Sequence, residues 1–138
     1  MADKLPGFLI VGAAKSGTTT LYDFLRKHPD ICMPSVKEPN FFSGIDDQGN
    51  LTELADYVTL FRHCGDRLAG EASVSYLPFH KIAIPRIRAL LGDPAIVMVL
   101  RNPVDRAFSH YTYFCQLGLE NHTLDEVLSP DYRVVNDP

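Results

Sequence analysis

The sequence predicts an α/β fold, a three-layer sandwich in which helices cover both faces of a central parallel sheet. Its 138 residues are 46% hydrophobic and 22% charged, the size and composition of one globular domain. Short, continuous apolar runs alternate along the chain with segments whose apolar residues recur at helical spacing. Glycine or proline stands at the junctions between these segments, where strands and helices end.

The first predicted strand is the continuous apolar run Phe8–Val11, which ends at Gly12. A helix follows, because apolar residues recur every three or four positions until Pro29 stops it. Residues 31–49 carry several prolines and glycines and are predicted to be irregular. A second helix is expected over Leu51–Arg62. The apolar faces of the two helices consist of Leu21, Phe24, Leu25, Leu51, Leu54, Val58 and Phe61.

A second strand is predicted over Leu68–Ala72. The third helix is begun or bent by Pro85, and Gly92 closes it, since proline interrupts and glycine terminates helices. The residues that define the apolar face of this helix are Ile82, Ile87, Leu90 and Leu91.

The strongest strand signal is Ala95–Leu100, which is apolar throughout and rich in β-branched residues. Asn102 is a good N-cap for a last helix, and Pro103 suits its first position. That helix is expected to bury Val104, Ala107, Phe108, Tyr111 and Cys115. Only three strands are evident, and the polar tail 135–138 shows no final helix or strand. We therefore expect a truncated piece of a longer domain.

The charge balance limits the partners of the chain. Thirteen Lys and Arg against seventeen Asp and Glu give a net charge of −4, which excludes a nucleic-acid binder of the usual basic kind. No apolar run is long enough for a membrane span, and the N-terminus lacks the apolar core of a signal peptide. Cys32, Cys64 and Cys115 lack zinc spacing and are predicted to be free thiols of a cytoplasmic protein. A disulfide between two of them is the alternative that the sequence leaves open.

Residues 12–20 read Gly-Ala-Ala-Lys-Ser-Gly-Thr-Thr-Thr and join the first strand to the first helix. Such a loop directs backbone N–H groups and the positive end of the helix dipole at one point, which suits a phosphate or sulfate. Lys15 adds a full charge, and three threonines add hydroxyl donors. A plain turn capped by threonine is the alternative, but it gives a lysine between two glycines no packing role.

The loop differs from the Walker A pattern G-x-x-x-x-G-K-[ST] in the position of its lysine. Gly12 and Gly17 fit the first half, but Thr18 stands where a nucleotide triphosphatase has lysine, and the lysine is Lys15. A magnesium site would also need an aspartate after a hydrophobic strand, whereas the strongest strand leads into Arg101. The pattern favours a ligand with a second anionic group over a magnesium nucleotide, and it predicts no metal.

These segments together resemble the sulfotransferases that use 3′-phosphoadenosine 5′-phosphosulfate (PAPS). Residues 15–19 resemble the family's 5′-phosphosulfate loop, and residues 99–109 resemble its 3′-phosphate motif. Residues 37–42 are similar to the E-x-x-F-F segment of the Golgi carbohydrate branch, which includes the heparan sulfate enzymes. Residues 71–76 are similar to the segment E-K-[ST]-x-x-Y, with Ala72 in place of its lysine.

The resemblance covers about residues 7–118 and implies a P-loop α/β fold. It implies one sulfotransferase domain over residues 1–138, made of the N-terminal, cofactor-binding portion. The implied reaction moves the sulfuryl group of PAPS to a hydroxyl or amine of a carbohydrate or small molecule and leaves 3′,5′-diphosphoadenosine, without a metal. The cofactor-binding residues that it implies are Lys15, Ser16, Gly17, Thr18, Thr19, Thr20, Arg101 and Ser109.

The resemblance also implies catalytic residues. Lys15 would neutralise the charge that grows on the leaving oxygen, and Glu38 matches the catalytic glutamate of the carbohydrate branch as general base. His80 is the alternative base, because the cytosolic branch uses histidine. Phe41 and Phe42 are expected in the core. Two other functions stay open: a P-loop nucleotide kinase and a nucleotide-binding module without catalysis.

Overall fold

The computed structural model describes residues 4–44 and 50–132, and it confirms the predicted α/β fold. The strands are β1 (Phe8–Gly12), β2 (Ile31–Cys32), β3 (Leu68–Ala72) and β4 (Ala95–Met98). They pair in parallel in the order β2-β3-β1-β4. The chain divides into two compact units, Met1–Arg101 and Asn102–Pro138, and the sheet belongs to the first. Residues 45–49 of the predicted irregular segment and the tail 135–138 lie outside the described residues.

Strand β1 lies between β3 and β4, and all five of its residues are buried. Side chains alternate between the two faces of a strand, so β1 contributes to two clusters. Leu9 and Val11 pack with α2 (Leu54–Thr59) and α3 (His80–Leu91). Phe8 and Ile10 pack on the other face with α1 (Thr18–Leu25). These contacts are the three layers that the sequence predicts.

The helices of the first unit occur where the periodicity predicts them, with shifted ends. Helix α2 is shorter than the predicted Leu51–Arg62, and a separate 3-10 turn follows it at Arg62–Cys64. Helix α3 begins at His80, so Pro85 lies inside it, and Gly92 closes it as expected. Strand β2 was not predicted: it has two residues inside the segment expected to be irregular, and only its pairing with β3 makes it a strand.

Gly70 in β3 allows a close approach between neighbouring strands. A Cβ atom at this position would lie 2.0 Å from the Phe8 ring, far inside van der Waals contact. The glycine therefore leaves the space that the Phe8 ring occupies.

The second unit contains α4 (Pro103–Gln116) and α5 (Leu124–Val127). The Asn102 side chain accepts hydrogen bonds from the backbone N–H groups of Val104 and Asp105, which confirms the predicted cap. The predicted burial of the apolar face of α4 is wrong for the described residues. Val104 is 75% exposed, Phe108 is 53% exposed, and no residue of α4 is buried.

The prediction of three free thiols is wrong for two of the cysteines. Cys32 at the end of β2 forms a disulfide with Cys64, the last residue of the 3-10 turn, and their Cα atoms are 5.4 Å apart. Cys115 is free and exposed. The two cysteines are 32 positions apart, and at that separation the spacing between cysteines does not predict a disulfide. The disulfide also removes the thiol argument for a cytoplasmic location, which stays a prediction.

Candidate functional site

The carboxyl ends of three adjacent strands form one edge, and segments leading to the predicted site residues leave from it. After β1, the Ala13 N–H donates to the Val99 carbonyl at 2.9 Å, which ties the start of the loop to the chain after β4. After β3, the Ser73 N–H donates to the Ile10 carbonyl at 3.0 Å. Ligands of open α/β sheets bind at this edge.

The loop after β1 leads into the N-terminus of α1. Gly17 takes a left-handed conformation (φ 96°) as N-cap, where the structure leaves open space around its Cα. Within residues 4–44 and 50–132, no side chain caps this helix end, so its first N–H groups keep the free positions of a helix N-terminus. Thr18 is buried, whereas Thr19 and Thr20 are exposed. The loop has the geometry of a cradle for an anionic group.

The Ser16 hydroxyl oxygen is buried and has no hydrogen-bond partner among the described residues. Buried hydroxyls are normally bonded, so an orphaned one beside a helix N-terminus indicates a missing acceptor or donor. An oxygen of a phosphate or sulfate group would supply it.

Lys15 and Arg101 come together although 86 positions separate them. The Arg101 guanidinium donates from Nη1 to the Lys15 carbonyl at 3.3 Å. Lys15 itself has a positive φ of 64°, which is uncommon for a residue with a side chain. The contact places an arginine beside the loop that the sequence predicts to bind an anion.

Glu38 lies on the segment that docks on the chain after β3. Its own N–H donates to the Ala72 carbonyl at 2.9 Å, and its Oε2 accepts the Val74 N–H at 2.7 Å. Its Oε1 contacts the Lys37 ammonium group, and 29% of the side chain is exposed. The carboxylate is thus anchored by the backbone and still accessible, unlike a fully solvated ion pair.

Asn40 joins the same two segments. Its N–H donates to Ser73 Oγ at 3.1 Å, and its side-chain oxygen accepts the Ser75 hydroxyl at 2.6 Å. Its side-chain nitrogen donates to the Glu38 carbonyl at 3.0 Å. Asn40 and Glu38 both have positive φ values, 54° and 60°. The hydrogen bonds hold this unusual backbone, and so fix the position of Glu38.

Glu71 is a fully buried carboxylate, with 0% of the residue exposed. It is linked to Asn40 through Ser73, whose hydroxyl contacts both residues. Its Oε1 accepts the hydroxyls of Ser73 and Tyr76, each at 2.6 Å, and its Oε2 accepts the Tyr57 hydroxyl. Burial raises the pKa of Glu71, and the three hydroxyl donors counteract part of that rise. Burial also raises the pKa of Tyr57 and of Tyr76, so both stay protonated donors.

The other predicted residues lie elsewhere. Phe42 is 1% exposed and Phe41 packs against the same core cluster, which confirms both as core residues. His80 is the exposed first residue of α3, and its Nδ1 lies 3.0 Å from the Leu77 carbonyl. Ser109 is partly buried in α4 of the second unit, and its role at the 3′-phosphate stays a prediction.

The sequence does not identify the Glu71 cluster, made of Glu71, Ser73, Tyr76 and Tyr57, which lies next to the segment that holds Glu38. Three of these residues fall in one motif segment, and Tyr57 falls within a predicted helix. A buried strand that carries an acidic residue among small ones is the signal that could have indicated Glu71, since such a charge needs partners.

The fold and the loop define an α/β protein of the P-loop class. The chain belongs to the sulfotransferase family, because the model of the sulfotransferase domain matches residues 5–133. It is 38% identical over 110 residues to human heparan sulfate glucosamine 3-O-sulfotransferase 3B1, covering 79% of this chain and 27% of that protein. It is 34% identical over 115 residues to the membrane-associated sulfotransferase kil1 of Dictyostelium discoideum, covering 81% and 24%.

A solved structure supports the fold independently. The crystal structure of a sulfotransferase from Alicyclobacillus acidocaldarius matches with a TM-score of 0.79 and 39% identity, over 91% of this chain and 56% of that one. The chain therefore spans about a quarter of those two curated relatives and just over half of the solved structure. Among the described residues, no helix is long and apolar enough to cross a membrane.

Proposed function

We propose that this chain is the donor-binding part of an enzyme that transfers the sulfuryl group of PAPS to a carbohydrate hydroxyl or amine. The observation that carries the proposal is the contact between Arg101 and the Lys15 loop at adjacent strand ends. A donor with two separate anionic groups needs two cationic sites, and the ends of neighbouring parallel strands provide them. Membership of the sulfotransferase family supports the reaction class.

The residues of the loop fit the anionic end of such a donor. The orphaned Ser16 hydroxyl and the uncapped N-terminus of α1 offer donors at one point. Thr18, Thr19 and Thr20 begin that helix, so their N–H groups lack partners within it. PAPS, when bound, supplies the sulfuryl group and a 3′,5′-diphosphate leaving group.

Positive charge would come from side chains. Lys15 would hold the 5′-phosphate and stabilise the negative charge that develops on the leaving oxygen, an effect that helps most in the transition state. Arg101 offers a planar fork of donors to the 3′-phosphate, and Ser109 would add its hydroxyl. The proposal therefore requires no metal ion.

Glu38 is proposed as the general base. Its carboxylate accepts the Val74 N–H with Oε2 and keeps part of its surface accessible to an acceptor. Removing a proton from the attacking hydroxyl or amine is the task that sulfuryl transfer leaves to such a group. His80 is the second candidate, and substitution at both positions separates them.

A carbohydrate is the favoured acceptor class, and a small molecule is the alternative. The similarity to a heparan sulfate 3-O-sulfotransferase supports a carbohydrate. Ala72 replaces the lysine of the heparan-type motif, so we expect an acceptor less anionic than heparan sulfate. Transfer assays with labelled PAPS and neutral, amino and sulfated saccharides test this order.

Nucleotide affinity tests the donor site directly. Calorimetry should show that 3′,5′-diphosphoadenosine binds at least about tenfold more tightly than AMP, since a charge-assisted hydrogen bond contributes ~1.5–3 kcal/mol. Arg101→Ala should bring the two affinities together, whereas Arg88→Ala on the exposed face of α3 should leave the difference unchanged. Equal affinities in the unsubstituted protein would contradict the 3′-phosphate site.

The same titrations decide between the remaining functions. Tight, magnesium-dependent binding of ATP would favour a nucleotide kinase. Tight binding of diphosphoadenosine without sulfate transfer by the whole protein, across all acceptors, would favour a binding module without catalysis.

A further inference from the structure

A histidine lies against the Cys32–Cys64 disulfide. His63 Nε2 is 3.4 Å from Cys32 Sγ, and His63 is the chain neighbour of Cys64. The two sulfurs and the ring nitrogen all lie within 4.8 Å of one another. Two sulfur atoms and an imidazole nitrogen are the ligand types that zinc prefers.

One of the spacings, from His63 Nε2 to Cys32 Sγ, is close to that of a tetrahedral zinc site. Bond lengths of about 2.3 Å to sulfur and 2.0–2.1 Å to nitrogen put a sulfur and a nitrogen ligand about 3.6 Å apart. The observed separation from His63 Nε2 to Cys32 Sγ is 3.4 Å. The two sulfurs would have to move apart to about 3.8 Å, which requires that the bond between them be reduced.

The surroundings leave one side of the cluster open. Cys32 is 2% exposed and Cys64 is 1% exposed, whereas His63 is exposed at the surface. Arg67 holds the turn that carries two of the ligands, because its Nη2 donates to the His63 carbonyl at 3.0 Å and its Nε to the Cys64 carbonyl at 3.2 Å. A metal here would have three protein ligands, two of them on this turn and one at the end of β2, and a fourth position open to water.

We propose that Cys32, His63 and Cys64 form a zinc-binding site that becomes available when the disulfide is reduced. A thiol reductant supplies two electrons and two protons and becomes a disulfide itself. A phosphine supplies two electrons and becomes the phosphine oxide, with water giving the oxygen and the two protons. Either reaction breaks the S–S bond and leaves two thiols. Zinc then replaces the two thiol protons, which pass to solvent, and neutral His63 binds through Nε2. The same residues would thus join β2 to the turn by a disulfide in one redox state and by a metal in the other.

Cobalt(II) is the spectroscopic probe for this site. The experiment uses the whole chain with Cys115→Ser, which removes the exposed third thiol. After reduction with a phosphine, one equivalent of cobalt should give the visible bands of tetrahedral coordination and a sulfur-to-cobalt charge-transfer band. One equivalent of zinc should remove both. The oxidised protein should show neither band.

Two variants test the assigned ligands. His63→Ala should weaken zinc binding to the reduced protein at least tenfold, whereas His28→Ala, at another exposed histidine, should not. Zinc should also raise the urea midpoint of the reduced protein and leave the oxidised protein unchanged, a readout that works even if reduction loosens the fold. The proposal is overturned if the reduced protein gives no cobalt spectrum, if zinc does not stabilise it, or if His63→Ala binds as well as the parent.

Discussion

Removing one hydroxyl from the Glu71 cluster tests how the site is supported. Tyr57→Phe deletes the donor to Glu71 Oε2 and keeps the ring, which stacks on Phe41 with centroids 4.3 Å apart. A hydrogen bond to a charged group contributes ~1.5–3 kcal/mol, and the acceptor left behind is fully buried. We therefore expect Tyr57→Phe to lower the free energy of unfolding by about 1.5–3 kcal/mol at pH values above the folded pKa of Glu71, where the carboxyl group is charged.

The loss should depend on pH. Burial raises the pKa of Glu71 in the folded protein, so the folded state binds this proton more tightly than the unfolded state. The stability from this group is complete below the unfolded pKa of 4.5 and is lost as pH rises through the folded pKa. The Tyr57 hydroxyl lowers the pKa of Glu71, so Tyr57→Phe raises it further. The stability difference between the two proteins should then grow as pH rises.

Urea unfolding at a series of pH values measures both effects. Tyr22→Phe is the matched control, because it removes a buried tyrosine hydroxyl that donates to the neutral Pro34 carbonyl. It should cost only ~0.5–1.5 kcal/mol, without the same pH dependence. A loss below about 0.5 kcal/mol for Tyr57→Phe, or one that does not grow with pH, would refute the reasoning.

Three further predictions concern chemistry and stability. In the whole enzyme, Glu38→Gln should leave diphosphoadenosine affinity unchanged and lower kcat by ~10²–10⁴, as shown by calorimetry and steady-state kinetics. Unchanged kcat would move the base elsewhere. Lys15→Ala should weaken nucleotide binding and lower kcat together; normal values of both would exclude the loop as the transfer site. Reducing the Cys32–Cys64 disulfide should cost about 3–4 kcal/mol, since it closes a loop of 32 residues. Urea curves check this, and Cys115→Ser, which leaves the disulfide intact, should not reproduce the loss.

The sequence alone was sufficient for most of the sheet and its helices. Strands β1, β3 and β4 lie where the sequence predicts them. Strands β1 and β4 are short apolar runs, which is a local feature of the sequence, although β1 is fully buried and β4 is mostly exposed. Helix α4 was found from its Asn102 cap and its periodicity. Strand β2 is not predicted, because two residues are too few to show the alternation or apolar run that indicates a strand. Its hydrogen bonds with β3 are nonlocal.

The proximity of Lys15 and Arg101 was also predictable, for a topological reason. Parallel strands bring their carboxyl ends to one edge, so the residues after β1 and β4 must be neighbours once the sheet order is assumed. Lys15 and Arg101 meet there, 86 positions apart in the chain. Position relative to a strand end was enough to predict that these two residues lie together, and their role in binding the donor stays a prediction.

Only the tertiary structure decided which distant residue each of these side chains contacts. Tyr57 reaches Glu71 across 14 positions, Val74 reaches Glu38 across 36, and Cys32 reaches Cys64 across 32. None of these pairs shares a helix face or a strand, so no periodicity in the sequence records it. The partners are selected by how the loops pack on the sheet, because a buried charge or thiol contacts whatever group the fold brings within a few ångströms.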